Sequence, residues 1–322
     1  MFSRPELEDA ARIIARNFAA TPQYCWPLLS QRAGCEVWVK HENHTPTGAF
    51  KVRGGLLYVD ELRLRTSPPA GLITATRGNH GQSIPYAANR YDLPVMVLVP
   101  EGNSPEKNSA MQAWGAEVVV YGKDFDEARV EASARADQLQ LEIVPAFHPT
   151  LVRGVATYAL ELFTAVPDLN TVYVPIGMGS GISGVIGVRD MLGLTTEVVG
   201  VVSDRADAVA TSFETGTLIE TPTANTFADG MACRVPDSDA VEIIRRGAAR
   251  VVRVSDEEVA AAMRAIYSDT HNVAEGAGAA SYAALLQERK LKAGQCVAVI
   301  LTGGNVDASI FASVLRGETP VP

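Results

Sequence analysis

The sequence has few cysteines, no long apolar run and no signal-peptide core. Its four cysteines are Cys25, Cys35, Cys233 and Cys296. They form no C-x-x-C pair, so neither a zinc knuckle nor a redox dithiol is indicated, and so few thiols are typical of a reducing cytosol. No stretch approaches the ~20 apolar residues of a membrane helix, and residues 1–18 form an acidic amphipathic helix pattern. We therefore expect a cytoplasmic protein that does not enter a membrane.

Positive charge is also scarce. The chain has 28 Lys and Arg against 37 Asp and Glu, which gives a formal net charge of −9, and its arginines are scattered singly. Because binding to nucleic-acid phosphates requires clustered Lys and Arg, nucleic acid is excluded as the main partner. The 322 residues are 47% hydrophobic, which is enough for a sizeable core and for two domains that share one cleft.

Short β-branched runs alternate with longer amphipathic segments. Strands are predicted at residues 36–40, 71–76, 95–100, 117–121, 171–176, 197–202, 250–254 and 297–302. Their continuous apolar character is typical of parallel strands that are covered on both faces. Two of the helices between them have clear start signals, because Ser104 precedes Pro105 and Ser255 forms a capping box with Glu258. This alternation predicts an α/β fold with parallel sheets flanked by helices.

One lysine lies at the junction of a strand and a helix. Lys51 belongs to the segment PTGAFKVRG at residues 46–54, directly after Phe50. Most lysines on the first turn of a helix are solvated. Phe50 and the following glycine pair instead suit a residue in a close-fitting pocket. The segment alone leaves both interpretations open.

A second segment, TATRGNHGQS at residues 74–83, follows a predicted strand and opens a helix. Gly78 and Gly81 permit a tight turn, and Asn79 and His80 fall at the helix N-terminus, where backbone N–H groups have no helical partner. Such a turn can bind a carboxylate or a phosphate. It also fits an ordinary turn in which Asn79 caps the helix.

The third segment, VPIGMGSGISGV at residues 174–185, has the composition of a phosphate-binding loop. It also contains G-x-G-x-x-G at Gly179, Gly181 and Gly184, and Asp204 ends the next strand. An NAD-dependent dehydrogenase is therefore a competing interpretation. Against it, such fingerprints usually follow the first strand of their domain, whereas this one lies mid-chain.

A fourth segment, ILTGGN at residues 300–305, places Thr302 at a strand end. Ligands of parallel sheets bind beyond the carboxyl ends of the strands, and all four segments lie there. Together they offer a lysine, two anion-binding turns and a hydroxyl. These groups match an aldehyde with a phosphate, a phenolic oxygen and a ring nitrogen, which is pyridoxal 5′-phosphate.

With these motifs in order, almost the whole chain resembles the threonine dehydratase and serine racemase group of fold type II pyridoxal-phosphate enzymes. The resemblance implies two open, mostly parallel sheets, as in the tryptophan synthase β fold, with the cofactor in the cleft between two domains. A large cofactor domain would comprise residues 1–70 and 149–322, and a small domain residues 71–148. The resemblance also implies a homodimer.

The resemblance assigns roles to individual residues. KHENHTPTGAFKVRGG is similar to the family's Schiff-base segment, which attaches the cofactor to Lys51, and GMGSG stands at the phosphate loop. ADGMA (228–232) and AEGAGA (274–279) match two further cleft segments. The residues implied to bind the cofactor are Phe50, Lys51, Asn79, Gly177, Met178, Gly179, Ser180, Gly181, Gly230, Glu275 and Thr302. Those implied to bind the substrate are Thr76, Arg77, Gly78, Asn79 and His80.

The chain departs from the group at two places. Racemases carry a serine acid/base where this chain has Arg77, and an arginine stays protonated, so racemisation should be weak or absent. The group's divalent-cation site uses a Glu and an Asp at positions where this chain has Val202 and Ala208. No metal is therefore expected, although Asp204 or Asp207 could supply a different site.

The expected activity is that of a carbon–oxygen lyase acting on a β-hydroxy-α-amino acid such as threonine or serine. Lys51, with a pKa lowered by burial and by the ring, would remove the α-proton, and the products would be a keto acid and ammonia. Arg77 is the second residue expected at the reacting centre. It would suit a second carboxylate, as in 3-hydroxyaspartate, or an aryl ring, as in phenylserine, or it turns outward to a surface acid. The alternatives are the dehydrogenase, a racemase of the same family, and a non-catalytic relative, which the intact lysine disfavours.

Overall fold

Two separate β-sheets organise the molecule, for which a computed structural model describes residues 1–321. The strands are β1 (Gln23–Cys25), β2 (Glu36–His41), β3 (Leu72–Ala75), β4 (Val95–Val99), β5 (Ala116–Val120), β6 (Glu142–Ile143), β7 (Thr171–Pro175), β8 (Glu197–Ser203), β9 (Arg250–Val254) and β10 (Cys296–Leu301). The first sheet has the order β1-β2-β10-β7-β8-β9, and the second has the order β5-β4-β3-β6. Only the β1–β2 pair is antiparallel. The predicted α/β fold with two mostly parallel sheets is confirmed.

Helices cover the sheets. They are α1 (Arg4–Ala15), α2 (Pro27–Ala33), α3 (Lys51–Arg63), α4 (Asn79–Ala88), α5 (Pro105–Ala113), α6 (Phe125–Leu139), α7 (Pro149–Ala165), α8 (Ser180–Met191), α9 (Ala208–Thr215), α10 (Ser238–Gly247), α11 (Asp256–Thr270), α12 (Gly276–Gln287) and α13 (Ala308–Leu315). Short 3-10 turns occupy Glu42–His44, Asn89–Tyr91 and Asp229–Met231.

The predicted helix starts and strands are confirmed. Ser104 caps α5 by accepting from the Lys107 N–H at 3.0 Å, and Ser255 and Glu258 form the capping box of α11. All eight predicted strands form. Two strands were not predicted. They are β1, which has three mostly exposed residues at a sheet edge, and β6, which has only two residues. Neither is long enough to show an apolar period.

Helices α3 and α7 approach each other unusually closely. A Cβ on Gly154 would lie 2.5 Å from the Arg53 carbonyl oxygen, and a Cβ on Gly54 would lie 2.9 Å from that of Leu151. Any side chain at either glycine would therefore force the two helices apart. Since α3 begins at Lys51, this contact fixes where that lysine stands.

A buried charge cluster also holds α3. The fully buried Arg53 donates to Glu42 at 2.7 and 3.0 Å and to Glu161 at 2.7 and 2.8 Å. Lys40 donates to the same Glu161 at 2.6 Å. Because buried charges are tolerated only when they are paired, this cluster defines one position of α3 against β2 and α7.

All four strands of the second sheet come from residues 72–143. On this basis we propose that residues 71–148 form the smaller domain and that residues 1–70 and 149–322 form the larger one, of which Pro322 lies outside the described residues. No helix in residues 1–321 is both long and apolar enough to span a bilayer.

Candidate active site

A single cavity collects the four segments that the sequence singled out. It encloses about 930 Å³ of empty space, including the part that opens to solvent. Its lining includes Phe50, Lys51, Thr76, Arg77, Gly78, Asn79, His80, Gly177, Met178, Gly179, Ser180, Gly181, Gly230, Glu275 and Thr302. These are all the residues assigned to the site from the sequence.

The sheet order explains this convergence. Strands β2, β10 and β7 are neighbours in the first sheet and run parallel. Their carboxyl ends lead to Lys51, Thr302 and Gly177 respectively, so three segments far apart in the chain meet at one sheet edge. The Asn79 turn arrives from β3, the neighbour of β4 and β6 in the second sheet.

Lys51 is the first residue of α3, and its side chain enters the cavity. The Nζ atom donates to Ser180 Oγ at 2.9 Å and lies 4.8 Å from the centre of the Phe50 ring. No carboxylate among residues 1–321 forms an ion pair with it. Burial without a compensating charge lowers the pKa of Lys51 to about 8. The expected direction of that shift is found, and the amine can act as a base or nucleophile near neutral pH.

The backbone on either side of Lys51 is tied to the end of β10. Phe50 N–H donates to the Thr302 carbonyl at 2.9 Å, and Ala49 bridges to Gly303. Thr302 itself is buried in the cavity wall. The Lys51 segment is therefore held by the strand that carries the predicted hydroxyl.

The glycine-rich segment 177–181 forms a cradle at the start of α8. Gly179 has a φ of +92°, which favours glycine. A Cβ on Gly177 would lie 2.3 Å from the Gly230 carbonyl oxygen, so the two cleft segments meet through their backbones. The N–H groups of Gly177, Met178 and Gly179 donate to no other described residue. Free N–H groups at a helix N-terminus are suited to a phosphate, and the cradle therefore fits that of pyridoxal phosphate.

The second turn presents Asn79 to the cavity and does not use it as a cap. Gly78 is the N-cap of α4, and no side chain caps this helix. Asn79 Nδ2 donates to Glu275 Oε1 at 2.6 Å, and Asn79 Oδ1 accepts from Asn305 Nδ2 at 2.8 Å. The alternative of an ordinary capping asparagine is therefore wrong. Thr76 Oγ1 accepts from Gly78 N–H at 2.9 Å, which shapes the turn.

His80 is a buried, neutral side chain at this turn. Burial, and next the nearby charge of Lys51, lower the pKa of His80 to about 3. Its Nε2 atom has no hydrogen-bond partner within the described chain. A neutral imidazole here leaves the local positive charge to Lys51 and to the free N–H groups of the turn.

Lys107 and Asp229 also line the cavity, although neither was predicted from the sequence. Lys107 Nζ forms an ion pair with Asp229 and lies 3.7 Å from Glu275 Oε2. Burial disfavours the Lys107 ammonium, but the two carboxylates outweigh that cost and raise its pKa. Burial also raises the pKa of Glu275 to about 7, against the opposing charge of Lys107. Asp229 lies in the quoted ADGMA segment, whereas Lys107 sits inside α5 with no local signal.

Arg77 lies at the rim of the cavity, partly exposed. Its guanidinium forms no hydrogen bond or ion pair with any part of the chain that the structure describes. The alternative in which Arg77 turns outward to a surface acid is therefore not what the structure shows. Its charge is available to a ligand.

The remaining sequence candidates lie outside the cavity. Asp204, the acid of the possible dinucleotide fingerprint, does not line it, and Asp207 forms an ion pair with Arg253. Residues 1–321 contain no group of three or more His, Cys, Asp or Glu side chains placed to hold a metal ion. The expectation that no metal is needed stays a prediction.

Comparisons with known proteins agree with the geometry. The family described as pyridoxal-phosphate dependent enzyme matches residues 14–303. The chain is 34% identical to an L-threonine ammonia-lyase of Geobacter sulfurreducens, over 89% of this chain and 72% of that protein. It is 31% identical to an L-threo-3-hydroxyaspartate ammonia-lyase of a Pseudomonas species, over 92% of this chain and 93% of that one. Among solved structures, the processed threonine deaminase isoform 2 of Solanum lycopersicum superposes with a TM-score of 0.88 at 27% identity, covering 98% of this chain and 94% of that one.

Proposed function

Because this chain belongs to the family of pyridoxal-phosphate-dependent enzymes, we propose that it is a dehydratase that removes water from a β-hydroxy-α-amino acid. The released enamine hydrolyses to a keto acid and ammonia. The observation that carries this proposal is the Lys51 amine, which has a pKa of about 8 and enters the cavity beside the glycine-rich cradle. The chain is also similar to proteins named ammonia-lyases for threonine and for 3-hydroxyaspartate.

The cavity supplies a partner for each polar group of the cofactor. Lys51 would carry it, the N–H groups of residues 177–179 would bind its phosphate, and Asn79 and Thr302 would hydrogen-bond the oxygen and the nitrogen of its ring. Bound pyridoxal phosphate would stabilise the electron pair left on the α-carbon when the α-proton is removed.

Lys51 is the base in this proposal. With a pKa near 8, a useful fraction of the amine is neutral at pH 7 to 8, and Nζ can take up the α-proton. Ser180 Oγ, at 2.9 Å, fixes the direction of the side chain. The substrate carboxylate would bind at the turn formed by Thr76, Gly78 and His80, where free N–H groups open the α4 helix.

Arg77 favours elimination over racemisation. A racemase needs a second acid/base on the other face of the substrate, and a guanidinium does not release its proton near neutral pH. We therefore assign Arg77 to binding the substituent on the β-carbon. The free guanidinium at the cavity rim supports this assignment.

We further propose that the enzyme works in the cytoplasm as a homodimer, as the family resemblance and the scarcity of cysteines suggest. The dehydrogenase alternative has no support from the family match, and Asp204 lies away from the cavity.

The test of the function is an absorbance scan combined with a keto-acid assay. The holoenzyme should show a band near the visible edge that borohydride abolishes, and it should release ammonia and a keto acid from threonine or a related substrate. Lys51→Ala should lose both properties while remaining folded, whereas Lys123→Ala, at an exposed lysine, should keep both. Near-normal turnover by Lys51→Ala without added cofactor, or tight NAD binding in place of pyridoxal phosphate, would overturn the proposal.

A further inference from the structure

A second chamber adjoins the active-site cavity. It encloses about 800 Å³ of empty space, again including its solvent-open part. Five residues line both spaces, and they are Arg77, Phe125, Met178, Ala232 and Cys233. These shared residues place the two spaces side by side, with Arg77 at their boundary. A threonine side chain, which has a single methyl on the β-carbon, would leave the chamber empty.

Segments associated with both sheets line the chamber. Residues 124–126, at the start of α6, form one side, and residues 222–225 and 232–235, between α9 and α10, form the other. Arg234 donates to Asp126 at 2.7 Å and joins the two sides.

The charges of the chamber are already satisfied, with one exception. Asp126 accepts from both Arg234 and Arg129, and Asp124 accepts from the Glu127 N–H as the cap of α6. Arg77 alone among the charged residues of the lining has no partner in the described chain. A ligand therefore meets one guanidinium without any partner, whereas the Asp124 carboxylate forms no ion pair but is held by the N-terminus of α6.

The rest of the lining is largely apolar. It includes Phe125, Met178, Pro222, Ala224, Ala232, Cys233 and Val235. Thioether and thiol sulfurs and an aromatic ring are favourable neighbours for another aromatic ring. A guanidinium binds the face of such a ring. A carboxylate on the β-carbon would use Arg77 alone and would gain nothing from the apolar walls beyond it.

From this arrangement we propose that the second chamber is the binding site for an aryl group on the β-carbon, and that the preferred substrates are aryl-substituted β-hydroxy-α-amino acids such as phenylserine. This inference rests on the proposed dehydratase function for its turnover tests. It makes a separate prediction about binding that does not depend on turnover.

The experiment fills the chamber without touching the reaction cavity. Ala224 lines only the chamber, so Ala224→Trp should occupy it. Glu220→Trp places the same bulk at an exposed residue of the same loop that lines neither space, and it is the matched control. Val235→Phe is a second filling variant in case Ala224→Trp does not fold.

Turnover is measured as kcat/KM of the holoenzyme. The wild type should prefer phenylserine to threonine and to 3-hydroxyaspartate by about tenfold or more, as pocket complementarity of this kind allows. Ala224→Trp should lose that preference and keep threonine turnover within about twofold, while Glu220→Trp should resemble the wild type. Equal losses on all three substrates would show that the chamber is only an entrance. A wild-type preference for 3-hydroxyaspartate would show that Arg77 acts alone.

Binding separates this inference from the proposed function. Calorimetry with phenylalanine and alanine, which have no β-hydroxyl to lose, should give at least about tenfold tighter binding of phenylalanine to the wild-type holoenzyme and equal binding in Ala224→Trp. If phenylalanine binds more tightly than alanine but none of the three β-hydroxy-amino acids is converted to a keto acid, the aryl-binding chamber is supported and the dehydratase function is refuted. Equal binding of the two amino acids to the wild type would refute the chamber.

Discussion

At the residue scale, the chemistry of the site depends on how little negative charge surrounds the Lys51 amine. The carboxylates nearest to the cavity are already engaged, since Asp229 pairs with Lys107 and Glu275 accepts from Asn79. Burial raises the pKa of Glu275 to about 7, which further reduces its negative charge. Lys51 is therefore left with a hydroxyl as its partner, and its pKa falls where that of a paired lysine would not.

The pH dependence of the reaction follows from this environment. In the proposed mechanism Lys51 acts as a base only when its amine is neutral, and burial lowers the pKa of that amine to about 8. Below that pH, keto-acid formation at saturating substrate should fall by about tenfold per pH unit, and above it the rate should level off. The measurement is the kcat profile between pH 6 and 10 with the holoenzyme.

A histidine base would give a different profile. The midpoint of its kcat–pH profile would lie near the ordinary imidazole pKa of about 6.5. Such a result would contradict the assignment of Lys51 as the base. His80→Gln should leave the midpoint of the profile unchanged, because burial and the charge of Lys51 already hold the pKa of His80 at about 3.

At the scale of elements, the glycine-rich cradle at residues 177–181 belongs to a strand–turn–helix unit. Its glycines are required for different structural reasons. Gly177 allows the turn to touch the Gly230 carbonyl, and Gly179 adopts the left-handed conformation that begins α8. Gly184 lies on the same helix, where a Cβ would meet the Ala156 backbone at 3.1 Å. The G-x-G-x-x-G pattern thus reflects a turn and a close helix–helix contact, and it does not require a dinucleotide.

Substitution at Gly179 tests the cradle. Gly179→Ala should raise the dissociation constant of pyridoxal phosphate by about tenfold or more, because a Cβ there would lie 2.8 Å from Ala240 Cβ and would shift the free N–H groups. Gly193→Ala is the matched control, since Gly193 also has a positive φ, +66°, but nothing lies within 4 Å of its Cβ position. Both variants should lose about 1 kcal/mol of stability from backbone strain, and only the first should lose affinity in a titration of the apoenzyme. Equal affinity loss in both would show that the cradle does not bind the phosphate.

At the scale of the whole molecule, the site is assembled from both sheets. Lys107 of α5 contacts Asp229 in the wall of the cavity, and Asn79 of α4 contacts Glu275. Ser104, the N-cap of α5, contacts Asp307. The first sheet contributes the Lys51 segment and the glycine-rich cradle at residues 177–181, and the second contributes the Asn79 turn, which we propose binds the substrate carboxylate. Neither the residues around the first sheet nor those around the second form the site by themselves.

The buried cluster around Arg53 is the long-range support for this assembly. Removing the guanidinium in Arg53→Met would leave Glu42 buried without its charged partner and Glu161 with Lys40 alone, which should cost about 3–5 kcal/mol of unfolding free energy. Urea denaturation measures that loss. The exposed Arg245–Glu242 pair is the control, and Arg245→Ala should change the unfolding free energy by about 1 kcal/mol at most. If both variants were equally stable, the cluster would not anchor α3.

The sequence by itself was sufficient for most features that depend on neighbouring residues. The apolar β-branched runs predicted eight strands, and the Ser104 and Ser255 caps predicted two helix starts, because these signals act within a few residues. The three turns after strands pointed to Lys51, Asn79 and Gly179, since parallel sheets bind ligands at strand ends. The family resemblance then placed the remaining cofactor contacts.

Only the tertiary structure decided which distant groups meet and what charge they carry. Asn79 and Glu275 are separated by 196 positions, and Lys107 and Asp229 by 122, so no local period or motif connects them. The free state of the Arg77 guanidinium depends on the absence of a hydrogen-bond or ion-pair partner in the described residues, and the low pKa of Lys51 depends on burial in the folded chain. Local sequence encodes backbone geometry and burial, whereas the electrostatics of the site arise only when the two sheets close around it.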